Sequence, residues 1–177
     1  MIENRTREEK MKLKKIMYMA IFFISFIMPI GALAENFVQP IIQGKVYNTW
    51  TVNPKRFGQP VHMLKGGEDE CNGGYFPDQY QFKNFSVLSD GQIYEVYLTH
   101  TNGLFFHNER ISLSTSLSTS PSLNKAQFME KFKKHVRIDS DNPNILHADA
   151  SEDSHNSISF IFKNNQLFKY QLHVDNC

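Results

Sequence analysis

Two stretches of this chain alternate apolar and polar residues on both sides of a short polar turn. The first, FKNFSVLSDGQIYEVYL, lies within residues 82–99, and the second, ISFIFKNNQLFKYQLHV, spans residues 158–174. Alternation with a period of two, interrupted by turn-forming residues, predicts antiparallel β-hairpins. Because successive side chains of a strand point to opposite faces, each hairpin presents one apolar face for burial. The chain must therefore contain antiparallel β-sheet.

The turn residues predict the register of each hairpin. In the first, Asp90-Gly91 favours a two-residue type I′ turn. That turn opposes Val87 to Tyr94 and Phe85 to Val96, and these four side chains then share one face.

In the second hairpin a two-residue turn would oppose Phe160 to Lys169, so a three-residue turn over residues 164–166 is predicted, with an Asn in the left-handed conformation. The predicted pairs are Phe162 with Phe168, Phe160 with Tyr170, and Ile158 with Leu172. The inward residues of the last strand are then Phe168, Tyr170, Leu172 and Val174.

One helix is predicted at about residues 122–136. Ser122 or Asn124 is the N-cap, and Asn124 with Gln127 has the spacing of a capping box. Four apolar residues at helical spacing follow (Phe128, Met129, Phe132 and Val136). Residues 110–122 alternate apolar and polar side chains, which predicts a strand, and residues 44–52 favour a strand only weakly. Residues 137–156 are polar and predict a long surface loop. The predicted fold class is α+β, a mainly antiparallel sheet with one packed helix.

The N-terminus has the pattern of a secretory signal peptide. A basic run, Met11–Lys15, precedes the uncharged apolar stretch Ile16–Ile30, and Ala32 and Ala34 have the spacing that a signal peptidase reads. The apolar stretch is shorter than the roughly 20 residues of a membrane span. We therefore expect cleavage after Ala34, with Met11 as an alternative start, and a single exported domain over residues 35–177. The expected location is the periplasm, with an extracellular one as the alternative, and no membrane span after cleavage.

The composition of the expected mature chain narrows its chemistry. Residues 35–177 carry 13 basic and 15 acidic residues, a net charge of −2 with neutral histidines. The sequence contains no basic patch of the kind that indicates a nucleic-acid partner. An even pair of cysteines in an exported domain predicts the disulfide Cys71–Cys177, which would anchor the chain end to a glycine-rich loop. The alternative is that Cys71 is a free thiol nucleophile.

Catalytic and metal-binding motifs are weak in this sequence. Neither a nucleophile elbow nor a zinc-protease helix occurs, and no phosphate-binding glycine pattern does. The acidic segment 139–155 offers weak candidate metal ligands, although its spacing matches no known site, and the simpler interpretation is a solvated loop. These candidates are His147, Asp149, Asp153 and His155. We expect no cofactor and no catalytic residue.

Three consecutive apolar residues, Leu104, Phe105 and Phe106, follow the pair Asn102-Gly103. Such a run is either part of the core, which is the favoured interpretation, or exposed for binding. If exposed, these residues are the candidate anchors for a protein partner, which is expected but not identified.

The signal peptide, the helix LNKAQFMEKFKKHV and the hairpin ISFIFKNNQLFKYQLHVDNC together resemble small periplasmic proteins of Gram-negative bacteria, including immunity proteins that neutralise toxins. The resemblance covers about the last third of the chain and implies a non-catalytic binding or inhibitor protein. Two alternatives remain. One is a structural or accessory protein of the envelope; the other is a small hydrolase that uses Cys71 or the region of His147 and His155.

Overall fold

The computed structural model describes residues 37–69, 74–113, 124–151 and 156–173, which all lie in one unit spanning 34–177. These residues form fourteen strands, one α-helix and one short 3-10 helix at Pro54–Phe57. The helix is α1 (Lys125–Phe132). The strands are β1 (Val38–Ile42), β2 (Lys45–Val46), β3 (His62–Leu64), β4 (Glu68–Asp69), β5 (Gly74–Tyr75), β6 (Gln79–Gln81), β7 (Phe85–Leu88), β8 (Ile93–Tyr97), β9 (Gly103–Phe106), β10 (Glu109–Ser112), β11 (Arg137–Ile138), β12 (Ile145–Asp149), β13 (Ser157–Lys163) and β14 (Gln166–His173).

Every strand pairing in these residues is antiparallel. The large sheet has the order β11-β12-β13-β14-β8-β7-β6-β3, and the small sheet has the order β10-β9-β1-β2. A short pair, β4 with β5, stands apart from both. The predicted fold class, mainly antiparallel sheet with one helix, is confirmed.

One hydrophobic core joins both sheets and the helix. Phe106 of the small sheet lies 5.0 Å from Phe160 of the large sheet and 6.0 Å from Phe128 of α1, measured between ring centroids. All three rings are fully buried. Aromatic pairs at these separations are favourable beyond the area that they bury. The three elements are therefore fixed to one another through phenylalanine rings.

The helix begins where the sequence predicts and ends earlier. Asn124 and Gln127 form the predicted capping box, each side chain bonded to the other residue's backbone N–H. The helix ends at Phe132 rather than Val136, and Val136 packs on the core from the turn that follows. Phe128 and Phe132 are the buried residues of its apolar side.

The first hairpin, β7–β8, has part of its predicted register. Phe85 opposes Val96 as predicted, but Val87 opposes Ile93, because Tyr94 is an extra residue in a bulge. The turn also differs from the prediction, since it has three residues and only Gly91 takes a positive φ, +96°. A three-residue turn that ends in a left-handed residue is the next most common hairpin connection. Ile93, not Tyr94, is consequently the buried residue.

The second hairpin, β13–β14, has two of its predicted pairs but a different turn. Phe160 opposes Tyr170 and Ile158 opposes Leu172, as predicted. The turn, however, has two residues, because Asn164 and Asn165 both take positive φ (51° and 62°), as a type I′ turn requires. A bulge at Phe168 then restores the register, so that Leu167 is buried and Phe168 is exposed. The predicted inward position of Phe168 is wrong, and Val174 lies outside the described residues.

Two segments without a clear strand pattern form buried strands. The segment 137–156 was predicted to be a surface loop, but β12 lies in it and its Leu146 and Ala148 are fully buried. Near the N-terminus, β1 pairs with both β2 and β9. β1 and β12 each have only five residues and polar neighbours in sequence, so alternation alone does not reveal them. In the weak segment 44–52 only the two residues of β2 form a strand.

Candidate binding surface

The structure places the predicted contact residues on two different faces of β9. Leu104 and Phe106 are fully buried in the core, as the favoured interpretation expected, and Phe105 is half-buried on the opposite face. The face of β9 that carries Phe106 packs on Phe128 of α1 and Phe160 of the large sheet. Leu104 and Phe106 are therefore not available to a partner.

The other sequence candidates divide between described and undescribed residues. Cys71, Cys177, Asp153 and His155 all lie outside the described part of the chain. His147 and Asp149 lie on the same face of β12, and Asp149 contacts Arg137 at 3.5 Å. Within the described ranges no three Cys, His, Asp or Glu side chains group as metal ligands would.

His147 belongs to a hydrogen-bonded chain of four side chains on the outer face of the large sheet. Asp139 Oδ2 lies 2.7 Å from His147 Nε2, and Ser159 Oγ lies 2.9 Å from both His147 Nδ1 and His173 Nε2. The hydrogen bond from His147 and the backbone N–H groups of Asn142 and Asp141 lower the pKa of Asp139.

The Asp139 carboxylate fixes one end of this hydrogen-bonded network. An ionised carboxylate only accepts hydrogen bonds, so His147 Nε2 donates to Asp139. The Ser159 hydroxyl can donate to one imidazole and accept from the other, so both His147 Nδ1 and His173 Nε2 have a partner in it.

An Asp–His–Ser order also occurs in hydrolases, where it activates a serine nucleophile. Ser159, however, is 3 % exposed and is bonded to imidazoles on two sides. A nucleophile must reach a substrate carbonyl, and this hydroxyl is enclosed. The arrangement supports a structural hydrogen-bond network better than a catalytic one.

This network belongs to a row of polar residues that crosses the whole large sheet. The registers place one polar residue of each strand directly opposite the next. In strand order the row is Arg137, His147, Ser159, Gln171, Glu95, Ser86, Gln81 and His62. Near its centre Glu95 accepts hydrogen bonds from Lys169 and Gln171 at 2.5 and 2.7 Å, and Glu95 is almost fully buried. One face of the sheet therefore packs on the core, while the other is held by polar contacts between strands.

The polar network predicts a dependence of stability on pH near neutrality. Desolvation lowers the pKa of His173 from its ordinary 6.5, and the neighbouring His147 lowers it further. The residue as a whole is exposed, but its Nε2 lies against the buried Ser159 hydroxyl. The unfolded chain therefore binds a proton at a pH where folded His173 does not. Its contribution to stability is complete above about pH 6.5 and is lost as pH falls through the lower folded pKa.

We expect His173→Gln, whose amide can still donate to Ser159, to lose less stability than the wild type when pH falls from about 8 to about 5. Urea unfolding at several pH values measures this difference. His100→Gln, on an exposed loop, is the control and should follow the wild type. Parallel curves for His173→Gln and the wild type would contradict the assignment.

A second polar connection links the two sheets. The Asn102 side chain is buried; its Oδ1 accepts from Gln43 N at 2.8 Å, and its Nδ2 donates to Asn84 O at 3.2 Å. Gln43 lies in the turn between β1 and β2, and Asn84 lies between β6 and β7. Tyr170, also buried, donates its hydroxyl to Gly103 O at 2.9 Å. These contacts fix the small sheet on the large one.

One of the two edge strands of the large sheet, β3, and the residues beside it on the same hairpin carry exposed apolar side chains. Val61, Met63 and Leu64 are 63, 51 and 49 % exposed, and Tyr75 and Phe76 are 64 and 40 % exposed. These five residues, which we call the edge patch, are the majority of the eight large apolar residues exposed in the described part of the chain. Scattered exposed apolar residues are ordinary, whereas a concentrated group indicates a contact surface.

The edge patch lies on one long hairpin. β3 pairs with β6 and β4 pairs with β5 in the same register, since His62 opposes Gln81 and Glu68 opposes Tyr75. At the interruption between them Lys65 Nζ and Gly66 N both bond to the Asp78 carboxylate, at 2.8 and 3.0 Å. β7 pairs with β6 but not with β5, so the far part of this edge hairpin (61–69 with 74–82) extends beyond the sheet.

Two cavities lie beside β6, the partner strand of β3, and Phe82 lines both of them. One, of about 590 Å³, is lined by Pro60, Tyr80 and residues of the 3-10 helix, including Pro54 and Lys55. The other, of about 350 Å³, is lined by His62, Gln81, Lys83, Ser86 and Glu95, among others. Because Tyr80 and Gln81 are neighbours on β6, their side chains point to opposite faces. The first cavity has mainly apolar walls, and the second lies at the end of the polar row.

The segment of the chain that leads into β3 and includes it carries charges of one sign. Residues 37–67 contain four basic residues and no acidic residue, and the next acidic residues begin at Glu68. Lys65 is paired with Asp78, whereas Lys55 and Lys83 are exposed beside the two cavities. Sequence reasoning missed this surface because VHMLK is short and does not alternate; only its place at the sheet edge reveals it.

Comparison with known proteins identifies no relative: no family model, no curated protein and no solved structure matches this chain. In the described residues, no helix is both long and apolar enough to span a membrane.

Proposed function

We propose that this protein is an exported, non-catalytic protein that binds another protein through the edge patch and acts as its inhibitor. The observation that carries the proposal is the concentration of exposed apolar residues on β3 and its hairpin. A strand at a sheet edge has unpaired N–H and C=O groups on its outer side, and natural proteins commonly protect such an edge. Here an exposed apolar edge is retained, as a binding surface requires.

A further feature supports binding over catalysis. Ser159, whose neighbours resemble those of a serine nucleophile, is buried and hydrogen-bonded to two imidazoles. The signal-peptide pattern supports export, and the resemblance to periplasmic immunity proteins supports a toxin as the inhibited partner. An exported inhibitor needs a stable scaffold and one accessible surface, and the rigid core with its projecting hairpin fits that need.

The test is site-specific photocrosslinking in cells that express the protein. Met63 is replaced by a photoreactive benzoylphenylalanine, and Ile138, equally exposed at 51 %, is replaced in a matched control. We expect a discrete protein adduct from position 63, none from position 138, and loss of the adduct when Leu64→Asp is added. The captured protein is then assayed alone and with an equimolar amount of this chain, which should abolish its activity.

Absence of any protein adduct at position 63, or equal adducts at both positions, would overturn the binding surface. A captured protein whose activity is unaffected by this chain would overturn the inhibitor role.

A further inference from the structure

We infer that the partner contributes an extended segment that pairs with β3 as an additional strand, with apolar side chains alternating with acidic ones. This inference rests on the proposed function and specifies its partner. It uses three observations: an edge strand, two cavities beside the strand that pairs with it, and exposed lysines at these cavities.

The edge geometry admits a strand. β3 pairs only with β6 in the described part of the chain, so its other side faces outward. In strand addition, main-chain hydrogen bonds supply affinity, and pockets for alternate side chains supply specificity. An arriving strand would continue the large sheet beyond β3.

The two cavities match the alternation of such a strand. Successive side chains of the arriving segment would point to opposite faces, as Tyr80 and Gln81 do on β6. On one face they would meet the apolar cavity beside Pro60 and Tyr80. On the other they would meet the cavity that holds His62 and Lys83.

The charges at the second cavity indicate that the polar side chains of the arriving segment are acidic. Glu95, the carboxylate in the second cavity, is already engaged by Lys169 and Gln171. Lys83, exposed at the rim of the same cavity, remains to attract an acidic side chain. Complementary charge fixes register and disfavours wrong partners, because like charges brought together cost free energy.

The experiment titrates the purified protein with synthetic peptides and follows backbone amides by NMR. The probe is a capped peptide that alternates glutamate with valine or leucine. One control has lysine in place of every glutamate; a second keeps the glutamates but has proline at alternate apolar positions, which prevents strand pairing. We expect the acidic peptide to shift the amides of residues 61–65 and to bind about tenfold more tightly than either control.

Charge variants separate strand pairing from general attraction. Lys83→Glu should weaken binding of the acidic peptide severalfold, whereas Lys134→Glu, the same charge change on an exposed residue after α1, should not. Equal binding of the acidic and lysine peptides would overturn the charge assignment, and equal binding of the proline peptide would overturn strand addition. Self-association through residues 61–65 without peptide would assign the edge to a second copy and overturn the inference.

The two proposals fail in different ways. If position 63 captures a protein but the acidic peptide does not bind, the strand-addition inference fails and the proposed function stands. If position 63 captures nothing, the proposed function fails whatever the peptides do.

Discussion

Phe106→Ala is expected to lower the free energy of unfolding by about 4 kcal/mol. The ring is fully buried and contacts Phe128 and Phe132 of α1, at 6.0 and 4.7 Å, and Phe160 of the large sheet. Its removal leaves a cavity where two sheets and the helix meet. The neighbouring rings belong to the helix and to a paired strand and cannot freely collapse into that space, so both the burial and the packing are lost.

Urea unfolding measures the loss. Phe168→Ala is the control, because Phe168 is 40 % exposed and should cost less than about 1 kcal/mol. A domain of this size has only about 5–15 kcal/mol of stability, so Phe106→Leu, with an expected cost of about 1.5 kcal/mol, keeps the test measurable if the alanine variant does not fold. Equal losses for Phe106→Ala and Phe168→Ala would contradict the described core.

Gly91→Ala is expected to cost about 3 kcal/mol, from two causes that act together. The backbone φ is +96°, a conformation that disfavours any side chain. A Cβ placed there would also lie 2.5 Å from Val52 O. That contact belongs to a pairing of the segment before β3 with β8, in which Val52 N bonds to Gly91 O and Ile93 N bonds to Trp50 O, each at 2.7 Å.

Gly44 provides a matched control. It has a similar φ of +78°, but a Cβ there would meet nothing within 4 Å. Gly44→Ala should therefore cost only the conformational part, about 1 kcal/mol. Thermal or urea unfolding of both variants separates strain from crowding, and equal costs at the two glycines would contradict the close approach of Val52.

The hairpins were predictable because alternation reports which face of a strand is buried. Phe85, Phe160 and Tyr170 occupy predicted pairs for that reason. The bulges at Tyr94 and Phe168 were not predictable, since an extra residue changes the face of its neighbours without changing the composition. In the second hairpin the predicted three-residue turn and the observed two-residue turn plus bulge give the same distal pairs, so the pattern could not distinguish them.

The functional surface was less predictable than the fold. The run of three apolar residues at 104–106 predicts either burial or binding, yet which of the three are buried depends on the packing of one face of β9 against α1 and the large sheet. VHMLK has no periodic signal, and its exposure follows from the long-range pairing of β3 with β6. Similarly, Asp139 and His147 are eight positions apart in a segment without a clear strand pattern, and they meet because β12 brings His147 back alongside Asp139.

The position of β14 has a consequence for how this chain is made. The last described strand is not an edge; it lies between β13 and β8 and joins residues 85–97 to residues 145–163. Until β14 leaves the ribosome, the large sheet consists of two separate halves, and Tyr170 and Leu172 are missing from its interior. The large sheet therefore cannot be completed before β14 has been synthesised. Because residues 85–97 must pair with a strand more than 70 positions further along the chain, closure of the sheet depends on a long-range contact and is slower than the formation of either hairpin.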